Sequence, residues 1–241
     1  MKLAGYLKTS LLDWPGKVVS VVWTRGCNLR CSFCHNGGLV VGNGKKDVDG
    51  ETILKDLEGH RKWVDGLVIT GGEPTLHKGL GPFCERVKAL GLAVKLDTNG
   101  TNYTILKELN LEKLVDFVAL DIKSDWKNYA KMVGKRGVDV KSIKKSLELI
   151  LGSGLEYELR TTVVPGLHNE QILMKMVEEI DEVWKRAKMK KPVKWVWQNF
   201  RGGNCLDDKF DDKKGYTLVA VEAMRKKVEE IGIAVKLRGW S

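Results

Sequence analysis

Val18-Val19-Ser20-Val21-Val22-Trp23-Thr24-Arg25-Gly26-Cys27-Asn28-Leu29-Arg30-Cys31-Ser32-Phe33-Cys34 joins a β-branched, apolar run to three closely set cysteines. The run reads as a buried strand, and the cysteines follow where that strand must end. Soft thiolate donors select zinc or iron–sulfur clusters over oxygen-loving cations. Structural zinc takes four protein ligands, usually as two separated pairs, so Cys-x3-Cys-x2-Cys leaves one corner of a metal site open. His35 could complete a zinc set, but adjacent residues rarely both reach one ion, and the chain has no second Cys-x2-Cys pair. Cys84 and Cys205 stand alone and read as small buried hydrophobes.

Outward from that strand, short apolar runs recur at residues 66–70, 92–97, 115–121, 156–164, 193–200 and 233–237. Amphipathic stretches lie between or after them, at 52–63, 82–90, 103–109, 140–151, 171–187 and 216–231. In the 171–187 stretch Ile172, Met176, Ile180 and Trp184 fall on one stripe. Repeated βα units imply an α/β fold with a parallel sheet and right-handed crossovers, doubly wound or curled into a barrel. No repeat, low-complexity tract or linker interrupts the pattern, so residues 1–241 read as one domain.

The strand ends carry the chemistry. The second run leads into Gly71-Gly72-Glu73-Pro74, where two residues without Cβ permit close backbone approach and Glu73 could accept from a ligand ammonium. The third ends in Asp97-Thr98-Asn99-Gly100, which places oxygen ligands before a helix start with Thr101 or Asn102 as its cap. Asp121 and Lys123 alternate about Ile122 and share a face. Arg160 interrupts an apolar strand that leads to His168, and the sixth run ends at Gln198. In βα barrels the carboxyl ends of the strands build the active site; six loaded ends on one rim favour the barrel. Taken singly, Asp121, Lys123 and Arg160 are equally explained by surface ion pairs.

Composition sets bounds. Hydrophobic residues at 43% and charged residues at 30% describe a globular chain able to build a core without disulfides. Five scattered cysteines do not make a secreted disulfide framework. Without a long apolar stretch or a signal-peptide core, the expected location is cytoplasmic, with no membrane partner. The net charge of +10 is concentrated at residues 127–145 and 185–194. A solvated lysine face, an acidic protein partner and a nucleotide each account for that sign.

The pairing of Cys27-x3-Cys31-x2-Cys34 with Gly71-Gly72-Glu73-Pro74 resembles the radical S-adenosylmethionine (SAM) enzymes. The opening Leu7-Lys8-Thr9-Ser10-Leu11-Leu12-Asp13-Trp14-Pro15-Gly16, with Cys34-His35-Asn36, Asp97-Thr98-Asn99-Gly100 and Asp121-Ile122-Lys123, resembles the glycyl-radical activase branch. Within it the chain is most similar to the activating proteins of anaerobic ribonucleoside-triphosphate reductase, and it shares these motifs with pyruvate formate-lyase activating enzyme. The resemblance implies a partial (βα)6 TIM-like barrel holding a [4Fe-4S] cluster on Cys27, Cys31 and Cys34, with SAM on the fourth iron. It implies Gly71, Gly72 and Glu73 at the SAM amino group, and Asp97 and Thr98 near its carboxylate and sulfonium, through a monovalent cation. Asp121 would approach the ribose, Lys123 and Arg160 the carboxylate, and His168 and Gln198 the adenosine. Reductive SAM cleavage would let the enzyme abstract hydrogen from a glycine of a glycyl-radical enzyme, fed by a low-potential donor such as ferredoxin or flavodoxin. Two other readings stand beside it: a radical SAM enzyme acting on a small molecule or nucleic-acid base, and a zinc-bearing nucleic-acid-binding module.

Overall fold

The computed structural model describes residues 1–42, 46–187 and 192–240. Eight strands form one sheet in sequential order: β1 (Leu3–Ser10), β2 (Val19–Thr24), β3 (Gly66–Gly71), β4 (Ala93–Thr98), β5 (Phe117–Asp121), β6 (Glu156–Val163), β7 (Trp195–Asn199) and β8 (Val235–Arg238). β1 runs antiparallel to β2, and every later neighbour is parallel. β1 and β8 end the strand order without pairing to each other, so the sheet is a partial barrel. The helices are α1 (Gly37–Val40), α2 (Gly50–His60), α3 (Leu80–Ala89), α4 (Tyr103–Leu111), α5 (Tyr129–Met132), α6 (Val140–Gly152), α7 (Glu170–Arg186) and α8 (Leu218–Glu229).

Local chemistry sets the helix starts. Asp49, Asp139, Asn169 and Thr217 each accept a hydrogen bond from a backbone N–H three residues on, capping α2, α6, α7 and α8. Before α4 the expected cap does not form: Asn102 Nδ2 donates instead to the Thr75 carbonyl, tying the β4 loop to the β3 loop. The buried stripe of α7 is Leu173, Met176, Val177, Ile180 and Val183, so the helix is rotated from the expected stripe and Ile172 and Trp184 flank it.

Alternation along the strands separates two interiors. Outward-facing residues such as Leu67, Ile69, Val94, Leu96, Val118 and Leu120 pack under the helices in the main core. Inside the curl, Trp14, Val19, Val21 and Val68 form a small second cluster with Trp23, Ala93 and Phe117. Trp14, in the loop after β1, tilts against Phe117 at 5.7 Å between ring centroids and closes the floor. Above this floor the inward positions are polar or charged, and there the cavity opens.

The sequence reading omitted β1. Gly5, two register irregularities and three successive exposed residues, Leu7, Lys8 and Thr9, obscure its alternation. Of the second basic stretch, residues 188–191 lie outside the described residues.

Candidate active site

A cavity of about 460 Å³ opens at the carboxyl ends of the parallel strands. Cys27, Cys31 and Cys34 line it, with Gly71, Gly72, Glu73, Asp97, Thr98, Asp121, Lys123, Arg160 and Gln198. Twelve of the thirteen site residues expected from sequence therefore share one cavity.

The cysteine loop is held from both sides. Buried Leu29 and Phe33 anchor it between the thiols, and the Cys34 N–H donates to the Cys31 carbonyl at 3.1 Å. Asn99 Nδ2 donates to Asn28 Oδ1 at 3.0 Å, and Asn28 Nδ2 to Thr101 Oγ1 at 2.7 Å. Asn36 Nδ2 reaches the Gly71 carbonyl at 3.0 Å. All three thiols are free. Burial pushes the Cys27 thiol up and the Cys31 thiol up to about 11, so neither is a ready nucleophile at neutral pH. As ligands they must lose protons to a metal.

Gly71 and Gly72 are required by the loop's own packing. A Cβ on Gly72 would lie 1.9 Å from the Gly26 carbonyl oxygen, and Gly71, at φ +117°, has the Thr24 backbone 2.4 Å from where its Cβ would be. The Gly72 and Glu73 N–H groups donate to the Thr24 and Gly26 carbonyls at 2.9 and 2.8 Å, fixing the β3 tip to the base of the cysteine loop.

Glu73 is 1% exposed and bonded wholly within the protein. Its Oε1 accepts from the Thr75 N–H, Thr75 Oγ1 and Thr98 Oγ1 at 3.1, 2.6 and 2.7 Å, and its Oε2 accepts from the Asn99 N–H at 2.7 Å. Burial pushes its pKa up against these four donors. With donors on both oxygens, the anion is the form that fits. Glu73 thus ties the β3 and β4 loops together, a task the expected ligand contact did not foresee.

The opposite wall is a chain of charges. Lys95 Nζ donates to Asp97 Oδ1 at 2.8 Å, and Arg160 NH1 donates to Asp97 Oδ2 at 2.8 Å. Arg160 Nε donates to Asp121 Oδ1 at 2.9 Å, and Lys123 Nζ to Asp121 Oδ2 at 3.1 Å. Strand register makes this possible, since Asp121 and Arg160 are direct neighbours across β5 and β6. Burial opposes the charges of Asp97, Asp121, Lys123 and Arg160, but the ion pairs overcome it: Asp97 is lowered, Asp121 falls to about 2, and Lys123 and Arg160 rise. Of the three cations only Lys123 and Arg160 line the cavity, whose lining also includes Asp13 and Glu73 beside Asp97 and Asp121. Each of the four oxygens of Asp97 and Asp121 accepts from an ammonium or guanidinium.

His168 is the expected site residue that the structure places elsewhere. It is 1% exposed, its Nδ1 accepts from the Val164 N–H at 3.1 Å, and its Nε2 donates to the Lys123 carbonyl at 3.0 Å. It supports Lys123 from behind and borders a separate, smaller cavity. Lys95 was missed, although a lysine alternating with Asp97 in an apolar strand was a readable signal. Asn28 gave none, and Asn36 was marked only by the Cys34-His35-Asn36 motif. His35 stacks on Phe200 at 5.6 Å, and its Nε2 is engaged by the Arg201 carbonyl.

Among the described residues no three His, Cys, Asp or Glu side chains gather as they would round a single metal ion. Thiolates that each take a different iron of a cluster need no such convergence. Three free thiols facing a polar cavity at the top of a partial parallel barrel define a class: barrel enzymes that carry a metal cluster beside a bound small molecule.

Comparison with known proteins places the chain within that class. Residues 21–180 match the model of the radical SAM superfamily. A Methanocaldococcus jannaschii protein assigned as a glycyl-radical enzyme activating enzyme is 34% identical over 77% of this chain and 75% of its own length. The pyruvate formate-lyase-activating enzyme of Clostridium pasteurianum is 30% identical over 91% of this chain and 92% of its own. In fold, the chain is similar to Streptococcus suis SuiB bound to S-adenosylmethionine, with TM-score 0.68 and 16% identity over 92% of this chain and 50% of that one. The chain belongs to the radical SAM superfamily and, within it, to the glycyl-radical activating enzymes. Enzymes of this superfamily use a [4Fe-4S] cluster and SAM.

Proposed function

We propose that this chain is the activase of an anaerobic ribonucleoside-triphosphate reductase, working as one domain in the reducing cytoplasm. Cys27, Cys31 and Cys34 hold the cluster, and SAM binds between it and the charged wall. The observation that carries the reading is the shared cavity: three free thiols, the Gly71–Glu73 segment and the paired Asp97, Arg160, Asp121 and Lys123 face the same space. Bound there, the reduced cluster supplies the electron that cleaves SAM, so that a glycine hydrogen can be abstracted.

The chain's own residues do the rest. Buried Leu29 and Phe33 hold the thiols in place. Glu73 locks Thr98 and Asn99 beside them. Lys123 and Arg160, the two formally charged basic side chains lining the cavity, would take the SAM carboxylate, with Asp121 beside them for the ribose. Gln198, which lines the same cavity, would meet the adenine-bearing end. His168 serves as the prop beneath Lys123. Among the described residues β1 and β8 do not pair with each other, which leaves the barrel open at the side and suits a peptide substrate.

The reductase is favoured as partner by overall resemblance alone, since the motifs are shared with pyruvate formate-lyase activating enzyme; residues 7–16 contribute the floor of the cavity, through Trp14. The test is anaerobic incubation of the reconstituted protein with SAM, a reductant and either the reductase or pyruvate formate-lyase. A glycyl-radical resonance on the reductase alone supports the assignment. A radical on the lyase alone moves the partner and keeps the chemistry.

A further inference from the structure

The first basic stretch is not used by the cavity, yet the structure sets its leading part against the cysteine loop. The Arg30 N–H donates to the Val133 carbonyl at 2.8 Å. Gly134, at φ +60°, packs so closely that a Cβ would lie 2.3 Å from the Arg30 carbonyl oxygen. Buried Tyr129 fixes the same segment from below, its hydroxyl accepting from the Lys123 N–H at 3.3 Å. Residues 126–138 carry Lys127, Lys131, Lys135 and Arg136 and no carboxylate. All four are exposed, and none is in an ion pair among the described residues.

Arg30 extends this face onto the cysteine loop. Its neighbours Leu29 and Cys31 line the cavity, but Arg30 does not, and it is exposed. Its NH1 donates to the Cys27 and Leu29 carbonyls at 2.7 and 2.8 Å, so a cation is fixed on the outer side of the loop, one residue from Cys31.

We propose that Arg30 and the basic face of residues 127–136 form the docking surface for an acidic, low-potential electron-transfer protein that reduces the cluster. The proposal rests on the cluster reading above. A client glycine must enter the cavity, whereas an electron needs only a short route to a thiolate, and this face offers one from outside through the Arg30–Cys31 backbone. A predominantly basic patch suits the small, transient interfaces of electron-transfer partners and speeds their encounter. The step is a one-electron exchange: flavodoxin hydroquinone is oxidised to semiquinone, [4Fe-4S]2+ is reduced to [4Fe-4S]+, and no bond forms or breaks.

The experiment uses the reconstituted protein and an acidic flavodoxin. The dissociation constant for oxidised flavodoxin is measured by titration, and cluster bleaching by the hydroquinone is followed by stopped flow, each at low and high salt. Lys135→Glu with Arg136→Glu should weaken binding and slow reduction about tenfold or more at low salt. That gap should narrow as salt shortens the Debye length to about 8 Å. Lys135→Gln with Arg136→Gln should fall between, which separates charge from folding. Reduction by dithionite and the SAM cleavage it drives should stay at the wild-type level. Unchanged flavodoxin binding and reduction in the double reversal would overturn the proposal. So would a loss confined to affinity for the glycyl-radical client, which would give the face to that partner. A wild-type protein that dithionite cannot drive to cleave SAM would instead overturn the underlying cluster reading.

Discussion

Replacing Glu73 by Gln removes one charge and turns one acceptor into a donor, inside a pocket that supplies only donors. The best placement leaves the amide oxygen where the Thr75 N–H, Thr75 Oγ1 and Thr98 Oγ1 converge. The amide NH2 then faces the Asn99 N–H, which had given the carboxylate a 2.7 Å bond. One charge-assisted bond is lost and a buried backbone donor is stranded, together costing about 2–3 kcal/mol, less whatever the protein regains by no longer burying a charge. Urea unfolding of the reduced protein should show a lower midpoint with an unchanged slope. SAM affinity should fall with it, because Thr98 and Asn99 lose their anchor. A change in stability below about 0.5 kcal/mol alongside collapsed SAM binding would refute this reasoning and return Glu73 to direct ligand contact.

Three further substitutions probe the same frame. Arg160→Met should cost about 2–3 kcal/mol in urea unfolding and weaken SAM binding; the cost stays below that of orphaning a buried charge because Asp97 and Asp121 each keep a lysine. Gly72→Ala should cost about 1–3 kcal/mol and lower the iron retained after reconstitution, since its methyl must displace the Gly26 carbonyl. His168 is held neutral by burial, its pKa lowered to about 4 from 6.5. The folded state then binds fewer protons than the unfolded one, so this contribution is full above pH 6.5 and is lost as pH falls towards 4. It amounts to about 3 kcal/mol, and His168→Gln should flatten that part of the stability–pH profile.

Much of the site was legible because strand periodicity and strand ends are local properties. Cys27, Gly71, Asp97, Asp121 and Gln198 each stand at or just past the tip of an apolar run, and parallel strands bring such tips together. What could not be read was who bonds to whom. Glu73 looked free to meet a ligand because its partners Thr98 and Asn99 lie a full βα unit away. That Asp97 and Asp121 share Arg160 as a partner was not readable either, because the pairing depends on register across β4, β5 and β6. His168 was misplaced for a similar reason: the β6 loop folds back, and the ring meets the backbone of Lys123 instead of the cavity. β1 escaped notice because an exposed edge strand with a glycine has little alternation to show.

The central claim is that Cys27, Cys31 and Cys34 hold a cluster that cleaves SAM in this cavity. Its most direct test is anaerobic reconstitution with iron and sulfide, dithionite reduction and SAM addition, with 5′-deoxyadenosine followed by chromatography in wild type and Cys31→Ala. The expected result is product from the wild type, and neither cluster nor product from the variant. Full SAM cleavage by Cys31→Ala, or none by a fully reconstituted wild-type protein, would contradict it.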